Sequence, residues 1–190
     1  RIGLGDESLD HPGRDDGTVF LPERIGLFPD RDLNAQLYIW LAAWFAVGPL
    51  DPIDDDDPLR RDLLTLRRAK DIAAAIVARL PGLARSYDVL GDAMARARPK
   101  RPLPRVEMDV EHVVMALLAA PMPEPTPAWQ AVTGAGIVAL TAPRGYRPML
   151  PCPLWGEFRI RDATVSGTDQ ADDEMPGGTA AEDDAGKRTA

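Results

Sequence analysis

Apolar residues recur at three-to-four-residue spacing in four long stretches of the chain, and this period predicts amphipathic helices. The first predicted helix covers about residues 30–47, and its apolar side chains surround the axis, which is typical of the central helix of a bundle. The other long helices are predicted at about residues 58–79, 83–97 and 106–119, with a short helix near residues 128–132. The pattern therefore predicts an all-α fold, a small bundle of four to five helices.

Capping residues mark where several of these helices begin. Asp30, Asp57 and Thr126 each stand directly before a predicted helix, and proline follows the last two at the first helical position. Asp57 ends a run of four aspartates that begins at Asp54, where the dipole of the following helix favours negative charge. The run lacks the spacing and the glycine of an EF-hand loop. We therefore interpret it as a capping loop rather than a cation site.

The remaining segments lack helical periodicity. Residues 19–28 are apolar and contain a proline, which predicts either an extended arm or a single helical turn, and residues 134–140 predict a small extended piece. Three prolines within residues 146–157 predict an extended, polyproline-like C-terminal strap. Gly- and Asp-rich composition without periodicity predicts a flexible or disordered tail at each end. The predicted organisation is a flexible lead of residues 1–18, a helical domain of residues 19–160 and an acidic disordered linker of residues 161–190.

Charge is concentrated at the two ends of the chain. The 190 residues include 22 basic and 30 acidic side chains, for a formal net charge of −8. Five acids and two bases in residues 1–18 give −3, and eight acids and two bases in residues 162–190 give −6, which leaves +1 for the body. A chain this acidic has no general attraction for nucleic-acid phosphates, so we expect no nucleic-acid partner.

Hydropathy and cysteine content exclude several classes of protein. The apolar run over residues 37–47 has 11 residues, whereas a membrane span needs roughly 18–20, so we expect no membrane insertion. The single cysteine, Cys152, cannot form an internal disulfide, and nothing indicates an oxidising compartment. One cysteine and two histidines are too few for a Cys/His zinc site. Since the chain begins without Met and ends in a linker-like segment, we expect it to be a fragment.

Few residues offer catalytic chemistry. Glu107 and Glu111 share one face of the fourth predicted helix, beside His112, but no other helix carries the Glu-x-x-His motif that a bundle metal site would need. Cys152 lies between two prolines without a surrounding catalytic signature. Phosphate-loop and nucleophile-elbow motifs are absent. We predict no enzyme activity, metal site or cofactor; the alternative is a small helical enzyme that uses the carboxylates near Glu107 and His112.

Two groups of residues are candidates for binding a partner protein. One is the basic, proline-rich turn between the third and fourth helices, which either meets an acidic partner or keeps the turn soluble. The other is the strap, whose aromatic and arginine residues among prolines are typical of docking segments and equally of a strap that covers its own core. The candidate residues are Arg96, Arg98, Lys100, Arg101, Arg105, Tyr146, Arg147 and Trp155.

Two stretches resemble a known family. Residues 20–40 (FLPERIGLFPDRDLNAQLYIW) resemble the opening of the NorD proteins, which accompany denitrification gene clusters. Residues 144–157 (RGYRPMLPCPLWGE) resemble the segment that closes the N-terminal region of those proteins. The resemblance covers about residues 19–160. The related CbbO proteins, partners of a Rubisco-activating ATPase, are similar in plan and are the alternative family.

The resemblance implies a cytoplasmic accessory protein that works with a MoxR-type AAA+ ATPase, NorQ. Together the pair is expected to activate nitric oxide reductase by helping to place its non-haem iron. Full-length NorD proteins also carry a C-terminal von Willebrand A domain with an Asp-x-Ser-x-Ser metal site, and that motif does not occur here. The resemblance therefore implies that this chain is the N-terminal adaptor region and carries no metal residue of the family.

Overall fold

Five α-helices make up most of the fold in the computed structural model, which describes residues 2–4, 12–14, 18–49, 51–119, 125–134 and 136–157. The mostly helical fold predicted from the apolar period is confirmed. Each helix begins and ends within a residue or two of its predicted bounds. The helices are α1 (Arg31–Val47), α2 (Pro58–Arg79), α3 (Ala84–Ala97), α4 (Arg105–Leu118) and α5 (Pro127–Thr133).

Side-chain caps hold the first turns of three helices. The Asp30 carboxylate accepts a hydrogen bond of 2.7 Å from the backbone N–H of Asp32 at the start of α1. Asp57 accepts from two backbone N–H groups in the first turn of α2, both at 3.0 Å, and the hydroxyl of Thr126 accepts from the N–H of Trp129 at 3.2 Å. These bonds satisfy N–H groups that have no partner inside the helix. The interpretation of the aspartate run as a capping loop is confirmed at Asp57.

Helix α1 lies at the centre of the core. Leu37, Trp40 and Leu41 have no exposed surface, and α1 packs against α2, α3 and the C-terminal segment. The indole Nε1 of Trp40 donates a hydrogen bond of 2.8 Å to the backbone carbonyl of Leu154, 114 residues later. Neighbours therefore cover α1 on several sides, while Ile39 of the same helix is 57% exposed.

A small three-stranded sheet, which the sequence did not predict, lies at the beginning of the chain. Strands β1 (Ile2–Leu4) and β3 (Val19–Leu21) pair in parallel, and β2 (Gly13–Arg14) pairs antiparallel with β3. Strands β1 and β2 lie within residues 1–18, for which the sequence predicted a flexible lead. The extended arm predicted after residue 18 is confirmed as β3, whose Val19 and Leu21 are buried against the body. The sequence did not predict the pairing of β1 with β3, because partners about 17 residues apart leave no periodic pattern of apolar residues in a Gly- and Asp-rich segment.

The C-terminal segment is less extended than predicted. Residues 137–139 form a 3₁₀ turn rather than an extended piece, and the strap runs without helix or strand to Cys152 before a 3₁₀ turn at Pro153–Trp155. Gly156 ends that turn with φ of 73°, and a Cβ there would lie 2.9 Å from the ring of Phe45. Only glycine therefore allows the strap to close against α1 at this point.

Two further predictions from the sequence concern the C-terminal linker and membrane insertion. The acidic linker predicted for residues 161–190 lies outside the described residues. In the part of the chain that the structure describes, none of the helices combines the length and the apolar character that a membrane crossing requires.

Candidate functional site

The basic turn lies between the end of α3 and the start of α4, and most of its cations face solvent. Arg96, Lys100, Arg101 and Arg105 are exposed. Arg98, the fifth candidate of this group, is only 8% exposed. The structure therefore divides the predicted cluster into four surface cations and one buried cation.

Arg98 forms a buried ion pair with Glu111 of α4. Its Nε donates to Glu111 Oε1 at 2.7 Å and its Nη2 to Oε2 at 2.8 Å, a bidentate arrangement. Its Nη2 also donates to the carbonyl of Leu150 in the strap at 3.2 Å. Burial alone would lower the pKa of Arg98, but the bonds to Glu111 reverse that effect and raise it. Arg98 therefore fixes the turn to α4 and the strap, and it is not available as a surface contact.

Two further buried carboxylates fasten the strap to the helices. Asp62 of α2 accepts hydrogen bonds from the Tyr146 hydroxyl at 2.7 Å and from the backbone N–H of Met149 at 2.8 Å. Glu107 of α4 accepts from the backbone N–H of Arg147 at 3.2 Å. Asp62 could have been identified from the sequence as a buried carboxylate, because it lies among the leucines of the apolar face of α2. A buried carboxylate at such a position needs a partner, and the strap provides it.

Burial controls the protonation of these groups. It raises the pKa of Asp62, and the hydrogen bonds from Tyr146 and Met149 act in the opposite direction. The pKa of the Tyr146 hydroxyl is raised well above its usual range, first by burial and then by its bond to Asp62. Tyr146 therefore stays neutral and acts as a hydrogen-bond donor that holds the strap.

The carboxylates, His112 and Cys152 do not converge on a catalytic centre. Glu107 and Glu111 each bind a different partner, and His112 of the same helix is exposed. Burial raises the pKa of the Cys152 thiol to about 12, so the thiolate that a nucleophile requires is not formed near neutral pH. Within the described ranges, no group of three or more His, Cys, Asp or Glu side chains is placed to hold a metal ion.

The structure brings the basic turn and the strap together. The bond from the Arg147 N–H to the Glu107 side chain places the backbone of Arg147 beside the first turn of α4, and the Arg147 side chain is exposed. Lys100, Arg101, Arg105 and Arg147 are called the basic surface below. No sequence pattern joined these two groups, because their contact depends on pairing between residues 40 positions apart.

The aromatic candidates of the strap serve the core. Trp155 is 4% exposed and belongs to the apolar core, and Tyr146 is half-buried with its hydroxyl on Asp62. For these two side chains the geometry favours the self-packing alternative over direct contact with a partner. Their role in positioning the basic surface is indirect, because they hold the strap on which Arg147 lies.

The chain is similar to curated proteins of known name. It is 40% identical over 169 residues to Protein NorD of Brucella abortus, and the same identity and length are found with Protein NorD of Brucella suis and of Brucella melitensis. The match covers 88% of this chain and 26% of each relative, so the chain spans about a quarter of the length of the curated relatives it matches. No family model matches the chain, and no solved structure matches it.

Proposed function

We propose that this chain, which belongs to the NorD family and corresponds to one region of its longer members, is a non-catalytic adaptor region that acts with a MoxR-type AAA+ ATPase. In this proposal the whole protein works in the cytoplasm, and the pair activates nitric oxide reductase by helping to insert its non-haem iron. The observation that supports the proposal most strongly is the 40% identity to NorD proteins over 88% of the chain. The relatives named above support this reading over a CbbO-like adaptor for a Rubisco-activating ATPase.

The basic surface is the part of the molecule that fits an adaptor role. Its four cations are exposed, and the elements that carry them are fixed by the Arg98–Glu111 pair and by the bonds of the strap to Asp62 and Glu107. A rigid backbone loses little freedom on binding, and exposed cations attract an acidic partner surface. We assign the ATPase contact to this surface.

Capture of the ATPase by the full-length protein tests the proposal. The variant combines Lys100→Glu, Arg101→Glu and Arg105→Glu. We expect it to capture at least about tenfold less ATPase than the wild-type protein, because three attractive charges become repulsive ones. The capture should also weaken as salt is raised, since exposed charges are screened.

A control variant with the same change in net charge separates the surface from general electrostatics. Arg24, Arg31 and Arg85 are exposed and lie on other elements, so glutamate at all three should leave capture unchanged. Equal capture by the two variants would show that the basic surface is not the contact. Failure of the wild-type protein to capture the ATPase would contradict the proposed partnership itself.

A further inference from the structure

A groove lined by α2 lies apart from the residues of the basic surface. Its deeper part is a cavity of about 370 Å³ between the end of α1, one face of α2 and the end of the strap. Three residues at three-to-four-residue spacing line the cavity on that face of α2, namely Arg61, Thr65 and Arg68, and Arg14 of β2 also lines it. A cavity of this size has room for one or two side chains of a ligand.

Backbone carbonyl groups hold the three arginines of this cavity in place. Arg14 Nη1 donates to the carbonyls of Phe45 and Gly48, at 2.8 and 3.0 Å. Arg61 donates twice to the carbonyl of Asp55, at 3.0 and 2.7 Å, and Arg68 donates to the carbonyl of Asp51. These bonds fix the guanidinium groups, but a neutral carbonyl does not cancel a positive charge.

The described residues that line the cavity carry more positive than negative charge. Across the described ranges, none of its three arginines forms an ion pair with a carboxylate, and the Asp55 carboxylate is bound to Arg60 instead. Among the described residues that line the cavity, the single carboxylate belongs to Glu157, and it already accepts a hydrogen bond of 3.1 Å from the N–H of Cys152. Fixed guanidinium groups with unused N–H donors are well suited to bind a carboxylate.

The rest of the groove gives it length and is apolar to a similar degree. A second cavity of about 570 Å³ adjoins the first, since both are lined by Ile53, Arg68 and Ile72, and it continues along α2 to Arg79. From Arg61 to Arg79, α2 rises about 27 Å. An extended peptide of about eight residues has that length. The second cavity carries charges of both signs around apolar side chains that include Val47 and Leu64.

We infer that this groove binds an extended segment of a partner protein, with acidic side chains at the Arg61 end and apolar side chains toward Arg79. The excess of fixed positive charge in the first cavity selects the acidic residues. The apolar lining and the length of the groove select a peptide rather than an isolated small anion. The inference concerns residues other than the basic surface, and its test uses no ATPase, so it stands or falls separately from the proposed function.

Peptide binding to the full-length protein tests the inference. The probe is a fluorescein-labelled eight-residue peptide with two glutamates followed by alternating leucine and serine, and binding is measured by fluorescence anisotropy. A peptide with glutamine in place of glutamate should bind about tenfold more weakly or worse, because it offers no charge to the arginines. Equal binding of the two peptides overturns the inference.

Substitutions within the groove test where the peptide binds. Thr65→Glu puts a carboxylate between Arg61 and Arg68 without removing any arginine bond, and we expect it to weaken binding of the acidic peptide about tenfold. Thr65→Gln, of nearly the same size, should bind within about twofold of wild type. The exposed Arg85→Gln change on α3 is the control for loss of charge elsewhere. Unchanged peptide binding in the Thr65→Glu variant would show that the peptide does not bind in this groove. Full displacement of the peptide by equimolar inorganic phosphate would show that the groove binds a small anion rather than a peptide.

Discussion

The burial of single charged side chains determines which residues of the predicted site reach solvent. Arg98 and Arg101 stand three residues apart in the same basic, proline-rich turn, yet one is buried and the other is exposed. The difference depends on Glu111 and on the Leu150 carbonyl, which lie 13 and 52 residues from Arg98. Sequence composition could predict a cationic turn, but it could not identify the cation that the fold would enclose, because the partners come from other elements.

Removing the Glu111 carboxylate should destabilise the protein. Arg98 keeps its charge and is almost fully enclosed, so Glu111→Ala leaves a buried cation without its partner. We expect a loss of about 2–4 kcal/mol in the free energy of unfolding, measured by urea denaturation. Replacing both partners, Arg98→Met with Glu111→Leu, should cost less than Glu111→Ala alone, because no charge stays buried.

An exposed ion pair provides the comparison for this prediction. Lys70 and Asp71 pair on the outside of α2, where solvent screens the interaction. Asp71→Ala should therefore change the free energy of unfolding by no more than about 0.5 kcal/mol. If Glu111→Ala were no more destabilising than Asp71→Ala, the Arg98–Glu111 pair would not be holding the turn.

At the scale of elements, local signals were sufficient for the helices and insufficient for the sheet. The bounds of a helix follow from the spacing of its apolar residues and from capping residues such as Asp30 and Asp57. These signals lie within a few residues of the helix end, so the helix bounds were predicted closely. The pairing of β1 with β3 and the 3₁₀ turn at Ile137–Ala139 depend on distant packing, and the sequence predicted neither. The strap was predicted as a segment, but its attachment to Asp62 and Glu107 was not.

Close packing of α3 on α4 makes Gly91 sensitive to substitution. A Cβ at Gly91 would lie 2.0 Å from the backbone carbonyl oxygen of Leu118, a distance that no rotamer change relieves. Gly91→Ala should therefore force the two helices apart and cost about 2–4 kcal/mol of unfolding free energy, measured by urea denaturation. The glycine within the helical pattern was the sequence signal for this close approach.

Gly82 is the matched control for Gly91. It lies just before α3, and a Cβ there would meet no atom within 4 Å. Gly82→Ala should be neutral or stabilise the protein by up to about 1 kcal/mol, because it reduces the freedom of the unfolded chain. A Gly91→Ala protein as stable as Gly82→Ala would contradict the described packing of α3 against α4.

At the scale of the whole molecule, a near-neutral helical body presents two separate regions of positive charge. The basic surface lies on the α3–α4 turn and the strap, and the arginine-lined groove lies along α2. The carboxylates of Asp62 and Glu107 hold the strap to α2 and α4. In the proposed function this arrangement serves to bind other proteins, and the chain spans about a quarter of the length of the NorD proteins it matches.

Nitric oxide reductase activity in cells tests the central claim most directly. Cells whose full-length protein carries glutamate at Lys100, Arg101 and Arg105 are compared with cells carrying glutamate at Arg24, Arg31 and Arg85, at equal levels of reductase protein. The account predicts that reductase activity in the first strain falls to that of cells lacking the protein, while the second strain keeps wild-type activity. Full reductase activity in the first strain would contradict the account.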